Sequence, residues 1–121
     1  MASKAQRNSQ GALVTRAVLR VASKLRLPDQ TMGHVIGVSD ATVMRMHGGQ
    51  YVLTKKPFEL AVLLIRLFES LDRVVDGDEE SARSWLRSPN AILGGTPIER
   101  IQSISGLTET IAYLDTRSGC S

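Results

Sequence analysis

The sequence predicts an all-α fold with an N-terminal helix-turn-helix bundle, a long core helix and a small helical domain at the C-terminal end. Apolar residues recur at helical spacing in the first half, and residues 29–47 have the composition of two short helices joined by a turn. Residues 57–75 follow the 3.6-residue period of an α-helix. At 121 residues the chain forms one domain, or two small domains that share a core.

Composition limits the kind of core and the cellular setting. Only 4% of the residues are aromatic, so the core is expected to be aliphatic and rich in methionine. The single cysteine, Cys120, excludes an internal disulfide and suits a reducing cytosol. Residues 1–10 show no signal-peptide pattern, and the most apolar segment, residues 60–68, is far below the roughly 20 residues that span a bilayer. We therefore expect a soluble, cytoplasmic protein.

Charge is distributed unevenly between the two halves. Residues 1–56 contain nine Lys or Arg and two Asp or Glu, a net charge of +7, whereas residues 57–121 contain six and ten, a net charge of −4. A basic half joined to an acidic half indicates two partners of different charge, and nucleic acid is the usual partner of a basic surface. The charge alone is equally compatible with a basic face exposed to solvent.

The first half begins with a predicted flexible basic arm at residues 1–10, which are polar and show no periodicity. An amphipathic helix is expected from about Ala12 to Arg26. Its outer side has Arg16, Arg20 and Lys24 at spacings of four residues. This stripe is either a solvated face or a surface that follows a phosphate backbone.

Residues 29–47 predict the helix-turn-helix. Gly37 suits a turn residue of positive φ, and Ser39 is a good N-cap for the second helix. Gly33 is small enough to allow close approach of a neighbouring helix, while Val43 and Met46 are expected to point into the core. The outer face of the second helix is then formed by Asp40, Ala41, Thr42 and Arg45, with Met44 beside them.

A link and a long helix follow. Residues 48–56 cross over to Pro57, which is well placed as the first residue of a helix ending near Val75. Apolar residues surround most of the first half of this helix, so it is expected to be a central core helix, covered by both halves of the chain or buried in a dimer.

The acidic half is predicted to contain three shorter helices. Asp78 is expected to cap the first of them, which contains Trp85 on its inner side. A Thr N-cap at Thr96, Pro97 at the first position and Glu99 three residues after the cap predict a second helix of about two turns, ending near Gly106. A third apolar segment and a flexible polar tail from Tyr113 onward complete the chain.

Three segments of this half, WLRSPN at residues 85–90, LGGTPIERIQSISGL at residues 93–107 and YLD at residues 113–115, closely resemble the toxin-binding domain of the Xre/MbcA/ParS antitoxins. The family pairs with RES-domain toxins, which consume NAD. The resemblance implies an antitoxin that occludes the toxin's active site. The residues expected to bind the toxin are Trp85, Asn90, Leu93, Gly94, Gly95, Thr96, Pro97, Tyr113, Arg117 and Ser121, with the Arg117 side chain and the Ser121 carboxylate approaching the pocket entrance.

The order of residues in the helix-turn-helix, a small residue, then Gly-Val-Ser, then Ala-Thr-Val and Arg, resembles Xre-type repressors, whose second helix lies in the major groove. Pro28-Asp29 and Gly33 depart from the Ser-Gln and Ala usual in that family. The resemblance implies a homodimer that represses its own operon. The residues expected to bind DNA are Arg16, Arg20, Ser39, Ala41, Thr42 and Arg45.

The predicted organisation is therefore a flexible arm at residues 1–10, a DNA-binding helix-turn-helix domain at residues 11–53 and a toxin-binding domain at residues 54–121. His34 and His47 have no cysteine or carboxylate at ligand spacing, and Gly94-Gly95 lacks the lysine and strand of a phosphate-binding loop. We therefore predict no metal, no cofactor and no enzymatic activity. A repressor without a toxin partner and a scaffold that contacts only proteins are the alternative functions.

Overall fold

The computed structural model describes residues 4–119, with side chains described from residue 9 onward. This part of the chain is all-α, as predicted, and its only β-type pairing is an isolated bridge between Asn90 and Gly95. None of its helices is long and apolar enough to cross a bilayer. The helices are α1 (Lys4–Leu25), α2 (Asp29–Ile36), α3 (Asp40–His47), α4 (Lys55–Val74), α5 (Glu79–Arg87), α6 (Pro97–Arg100) and α7 (Ile104–Arg117).

Helix α1 begins at Lys4 rather than near Ala12, so residues 4–10 are helical where the sequence predicted a flexible arm. The buried side chains of Val18, Val21 and Leu25 hold the later turns of α1 against the core. Once those turns are formed, each residue added to the helix gains one backbone hydrogen bond, which offsets the conformational entropy that it loses. The polar residues 4–10 can therefore extend the helix without an apolar face of their own.

Residues 48–54, which connect α3 to α4, pack against α1 at Gly11 and at the buried Thr15. A Cβ atom at Gly11 would lie 2.6 Å from Val52 Cγ1 and 2.9 Å from the Leu53 carbonyl oxygen. One turn later, the Thr15 hydroxyl donates to the Gly11 carbonyl (2.7 Å) and accepts from the Leu53 backbone N–H (3.0 Å). These contacts satisfy a buried backbone donor and fix the point at which the chain leaves the helix-turn-helix.

The predicted turn between α2 and α3 is confirmed. Gly37 has a φ of +76°, and its N–H donates to the Gly33 carbonyl. The Ser39 hydroxyl caps α3 by accepting from the Thr42 N–H at 3.2 Å. Gly33 permits the tight return of the chain, because a Cβ atom there would lie 2.8 Å from the Val38 carbonyl oxygen. The departure from the family's usual alanine therefore has a steric cause in this chain.

Helix α4 is the central helix and packs against α1, α2 and α7. Its inner face is apolar, with Leu64, Leu67 and Leu71 fully buried. The helix begins at Lys55, two residues before Pro57, and ends at Val74. Its opposite face remains open within the single chain, since Val62 is 41% exposed.

The C-terminal helices differ from the prediction in their lengths and in where they end. Residues 113–117, predicted to belong to a flexible polar tail, form the last turn of α7. Helix α6 is a single turn, its Thr96 N-cap makes no side-chain hydrogen bond, and Gly106 lies inside α7 instead of ending a two-turn helix. Ser103 caps α7 by accepting from the Gly106 N–H at 3.1 Å. The chain folds back so tightly here that a Cβ atom at Gly106 would lie 1.8 Å from the Arg100 carbonyl oxygen. Close approach, not helix termination, is therefore the role of this glycine.

Side chains of α5 join the two halves of the chain. Arg83 Nη1 donates to the Lys24 carbonyl (3.0 Å), and Arg87 Nη2 donates to the Arg26 carbonyl (2.7 Å). These carbonyl groups lie at the C-terminal end of α1, where the helix leaves them without intrahelical partners and where positive charge is favourable. Helix α5 is thereby attached to the helix-turn-helix half.

Candidate functional site

The first candidate surface is the outer face of α3. Val43 and Met46 are buried and anchor the helix, which leaves Ala41 and Arg45 exposed one turn apart. Thr42 is half-buried, and its hydroxyl accepts a hydrogen bond from the Ser39 hydroxyl at 3.1 Å. The predicted residues Ser39, Ala41, Thr42 and Arg45 thus lie on one short helix and its N-cap, with Arg45 in the last turn. Met44, 71% exposed, adds an apolar side chain to this surface.

Arg45 is held by an aromatic ring from the following link. Its guanidinium carbon lies 5.3 Å from the centroid of the Tyr51 ring, within the range of a cation–π contact. The stack restricts a long side chain that is otherwise exposed, so less conformational entropy is lost when Arg45 binds a partner. Sequence reasoning did not identify Tyr51, because only the fold of the link places it under α3.

Arg16 and Arg20 lie on a different helix, α1, where both are exposed. No hydrogen bond or ion pair among the described residues joins them to α3. Lys24, the third member of the basic stripe, lies 3.9 Å from a carboxylate oxygen of Glu79 and 5.4 Å from the Phe68 ring centroid. Within the predicted stripe, Lys24 thus differs from the two arginines in lying close to side chains of α5 and α4.

The second candidate surface is an aromatic cluster formed by Trp85, Tyr113 and Arg117. The Trp85 and Tyr113 rings are stacked, with centroids 6.2 Å apart and an interplanar angle of 18°. The Arg117 guanidinium lies 5.6 Å from the Tyr113 centroid on α7. Both rings are half-buried, and Arg117 is exposed. Stacked rings with one open side are typical of anchor residues at protein interfaces.

The loop between α5 and α6 has its shape determined by Asn90. The Asn90 side-chain oxygen accepts from the N–H groups of Ile92 (3.0 Å) and Leu93 (3.1 Å), while its backbone N–H and carbonyl pair with Gly95. Gly94 supplies the positive φ, +74°, that closes the loop. The side-chain oxygen of Asn90 is therefore used within the chain, where it shapes the loop.

The loop exposes a residue that the sequence analysis did not select. Ile92, at its tip, is 75% exposed, whereas Leu93 and Pro97 are buried. Leu93 and Pro97 therefore pack beneath the loop and are not exposed to a partner, whereas Thr96 is half-buried. Ser121 lies outside the described residues. The sequence indicated Ile92 only through its position as an apolar residue two places before Gly94-Gly95, in a segment expected to be a loop.

Helix α7, which contributes two of the three side chains of the aromatic cluster, is fixed to α4 by a polar network around the buried Ser70. The Ser70 hydroxyl donates to Asp115 Oδ1 at 2.5 Å, and Arg66 Nη2 donates to Asp115 Oδ2 at 3.0 Å. Arg73 Nη2 in turn donates to the Ser70 hydroxyl at 3.3 Å. The Ser70 hydrogen bond, followed by the Arg66 contact, lowers the pKa of Asp115 below its ordinary value of 3.8.

Replacing Asp115 with alanine is expected to lower the free energy of unfolding by about 1–2 kcal/mol at neutral pH, because charge-assisted hydrogen bonds are lost. Since the pKa of Asp115 is lower in the folded than in the unfolded chain, its contribution is present above the ordinary carboxyl pKa and disappears as the pH falls through the folded value. Urea denaturation of wild type and variant should therefore show a difference that shrinks below about pH 4. Asp115→Asn, which retains an acceptor for Ser70, is the control, and a pH-independent difference would contradict this assignment.

Within residues 4–119, no group of three or more His, Cys, Asp or Glu side chains is arranged to hold a metal ion. His47 Nε2 instead lies 3.0 Å from Asp29 Oδ1, and His34 Nδ1 lies 2.9 Å from Gln102 Oε1. His47 therefore joins α3 to α2, and His34 joins α2 to the turn between α6 and α7.

The two candidate surfaces lie in segments of the chain that match two different family models. Residues 5–66 match the model of the antitoxin Xre-like helix-turn-helix domain. Residues 70–119 match the model of the antitoxin Xre/MbcA/ParS C-terminal toxin-binding domain. No curated protein sequence gave a significant match. The α3 surface lies inside the first match, and the aromatic cluster and the loop lie inside the second.

Proposed function

Because the chain belongs to the Xre-type antitoxins, with an N-terminal helix-turn-helix domain and a C-terminal toxin-binding domain, we propose that it neutralises a RES-domain toxin that consumes NAD. In this proposal the aromatic cluster and the loop at residues 90–95 dock on the toxin and cover the entrance to its NAD pocket. The helix-turn-helix, as part of a homodimer, represses the operon that encodes both proteins.

The observation that carries the toxin-binding proposal is the open Trp85–Tyr113 stack within the toxin-binding domain. The stack offers a rigid apolar surface, and Arg117 at its edge supplies a charged donor. Residues 57–121 have a net charge of −4. Since a pocket that binds the phosphates of NAD is expected to be basic, an acidic partner is favoured by electrostatic complementarity.

The proposal for DNA rests on charge and on the exposed side chains of α3. Residues 1–56 have a net charge of +7, which favours association with the phosphate backbone. In this proposal Arg45, which is exposed and stacked on Tyr51, binds a guanine through two hydrogen bonds in the major groove. Arg16 and Arg20 on α1 would contact phosphates, which adds affinity without sequence preference.

Co-expression tests the proposed function. The adjacent open reading frame, expected to encode a RES-domain protein, is induced with and without this chain, and cellular NAD is measured. We expect NAD to fall with the toxin alone and to be maintained when the chain is present, and the two proteins should co-purify in a fixed ratio. Loss of NAD in both cultures, without co-purification, would instead favour a repressor that has no toxin partner.

A further inference from the structure

Helix α4 has one face that the single chain leaves open. Along this face lies a shallow groove of about 400 Å³, lined by the apolar side chains of Phe58, Leu60, Val62, Leu63 and Ile104 and, at its edge, by the charged Lys56 and Glu59. Ile104, at the start of α7, is 59% exposed, and Val62 is 41% exposed. A second groove, of about 180 Å³, continues on the other side of Leu63. Val62 and Ile104 are thus two exposed apolar side chains that border one groove, as is typical of a protein interface.

The charged residues beside the groove identify the partner. The exposed stripe of α4 reads Lys55, Glu59, Val62, Arg66 and Glu69, at spacings of four, three, four and three residues, so these side chains lie along one side of the helix. Each charged residue on one side of Val62 has a residue of opposite charge at a similar distance on the other side. Lys55 lies seven residues before it and Glu69 seven residues after it, while Glu59 and Arg66 lie three before and four after.

A surface that binds its own copy about a two-fold axis must be complementary to itself. If two α4 helices pack antiparallel with Val62 at the axis, Lys55 of each chain faces Glu69 of the other, and Glu59 faces Arg66. All four charged pairs are then attractive. Shifting the register so that the centre lies at residue 64 would place Glu59 opposite Glu69 and Lys55 opposite Arg73, which is repulsive.

We propose that this chain forms a homodimer through antiparallel packing of the exposed face of α4, centred on Val62, with Ile104 at the edge of the apolar contact. The proposal deepens the proposed function, which requires two copies of α3 on an operator with paired half-sites. Within the described residues neither Lys55 nor Glu69 has an ion-pair partner. Arg66 bonds Asp115 through one nitrogen and retains further N–H donors for Glu59 of the other chain. Glu59 also lies 3.5 Å from the exposed Lys56 of its own chain, and its second carboxylate oxygen remains an acceptor for Arg66.

Val62→Asp tests the apolar centre of the interface. Two carboxylates would meet at the two-fold axis, so the dissociation constant of the homodimer, measured by sedimentation at about 1–100 µM, should rise more than about a hundredfold. Glu80→Lys, which changes the charge on the exposed side of α5, is the matched control and should leave the dissociation constant unchanged. A wild-type chain that stays monomeric over this range, or a Val62→Asp variant that dimerises normally, would overturn the proposal.

Charge reversal tests the register. Lys55→Glu and Glu69→Lys each create two repulsive pairs per dimer, and each variant alone should dissociate roughly tenfold more readily. An equimolar mixture should regain wild-type affinity, because a Lys55→Glu chain paired with a Glu69→Lys chain has both pairs attractive. Failure of the mixture to recover would exclude the antiparallel register. Neither measurement uses toxin or DNA, so the dimer and the proposed function can fail separately.

Discussion

Trp85→Ala is expected to abolish toxin neutralisation while operator binding is retained. The Trp85 ring forms one side of the stack with Tyr113, and Tyr113 in turn supports the Arg117 guanidinium. Truncation removes the anchor and leaves its neighbours without a fixed position. Central aromatic residues of interfaces typically contribute about 2–4 kcal/mol, so toxin affinity should fall by roughly 30- to 1,000-fold, measured by calorimetric titration of the purified proteins.

Two control variants show whether Trp85→Ala weakens toxin binding by removing an interface contact or by destabilising the fold. Trp85→Phe keeps a ring on Tyr113 and should retain most of the affinity. Phe68→Ala removes another half-buried aromatic side chain, on α4 and outside the aromatic cluster, and should lower the melting temperature without lowering toxin affinity. If Trp85→Ala and Phe68→Ala weaken toxin binding equally, Trp85 acts through stability and the proposed interface is wrong.

Arg45→Ala is expected to eliminate specific operator binding. A bidentate arginine–guanine contact contributes about 1–3 kcal/mol, and a dimer on two half-sites loses it twice, so the affinity for the operator should fall by roughly 30-fold or more. Affinity for unrelated DNA should change much less. Fluorescence anisotropy with operator and scrambled duplexes at one salt concentration measures both quantities.

Arg20→Ala and Tyr51→Leu are the comparisons for this experiment. Arg20→Ala should weaken binding to both duplexes. It should also reduce the slope of log affinity against log salt concentration by about one, as expected for the loss of one phosphate contact. Tyr51→Leu removes the ring under the Arg45 guanidinium and should give a partial loss restricted to the operator. If Arg45→Ala weakens operator and scrambled DNA to the same extent, Arg45 contacts phosphate and does not read bases.

The parts of the fold that were predicted from sequence depend on local signals. Gly37 and Ser39 specify a turn and a cap through contacts within a few residues, and the apolar period of α4 specifies its buried face. Gly106 was misread because the sequence around it resembles a helix end, whereas the close approach of the Arg100 carbonyl depends on the tertiary path of the chain. Pattern alone does not distinguish these two uses of glycine.

The candidate site was less predictable because its key pairs are distant in sequence. Trp85 and Tyr113 were both selected, yet their stacking depends on how α5 and α7 pack, and the Ser70–Asp115 hydrogen bond joins residues in α4 and α7. The side-chain oxygen of Asn90, a predicted toxin-binding residue, satisfies two backbone N–H groups of its own loop, a structural use that the sequence did not indicate. Sequence reasoning identified the segment but not the direction of its side chains.

We propose that the C-terminal half neutralises the toxin independently of the α3 face that is proposed to bind DNA. The most direct test is cellular NAD after induction of the RES-domain toxin with the wild-type chain, Trp85→Ala or Arg45→Ala, each expressed from a separate promoter. We predict that NAD is maintained with the wild type and with Arg45→Ala but falls with Trp85→Ala. Maintained NAD with Trp85→Ala, or a fall in NAD with Arg45→Ala at equal protein level, would contradict the claim.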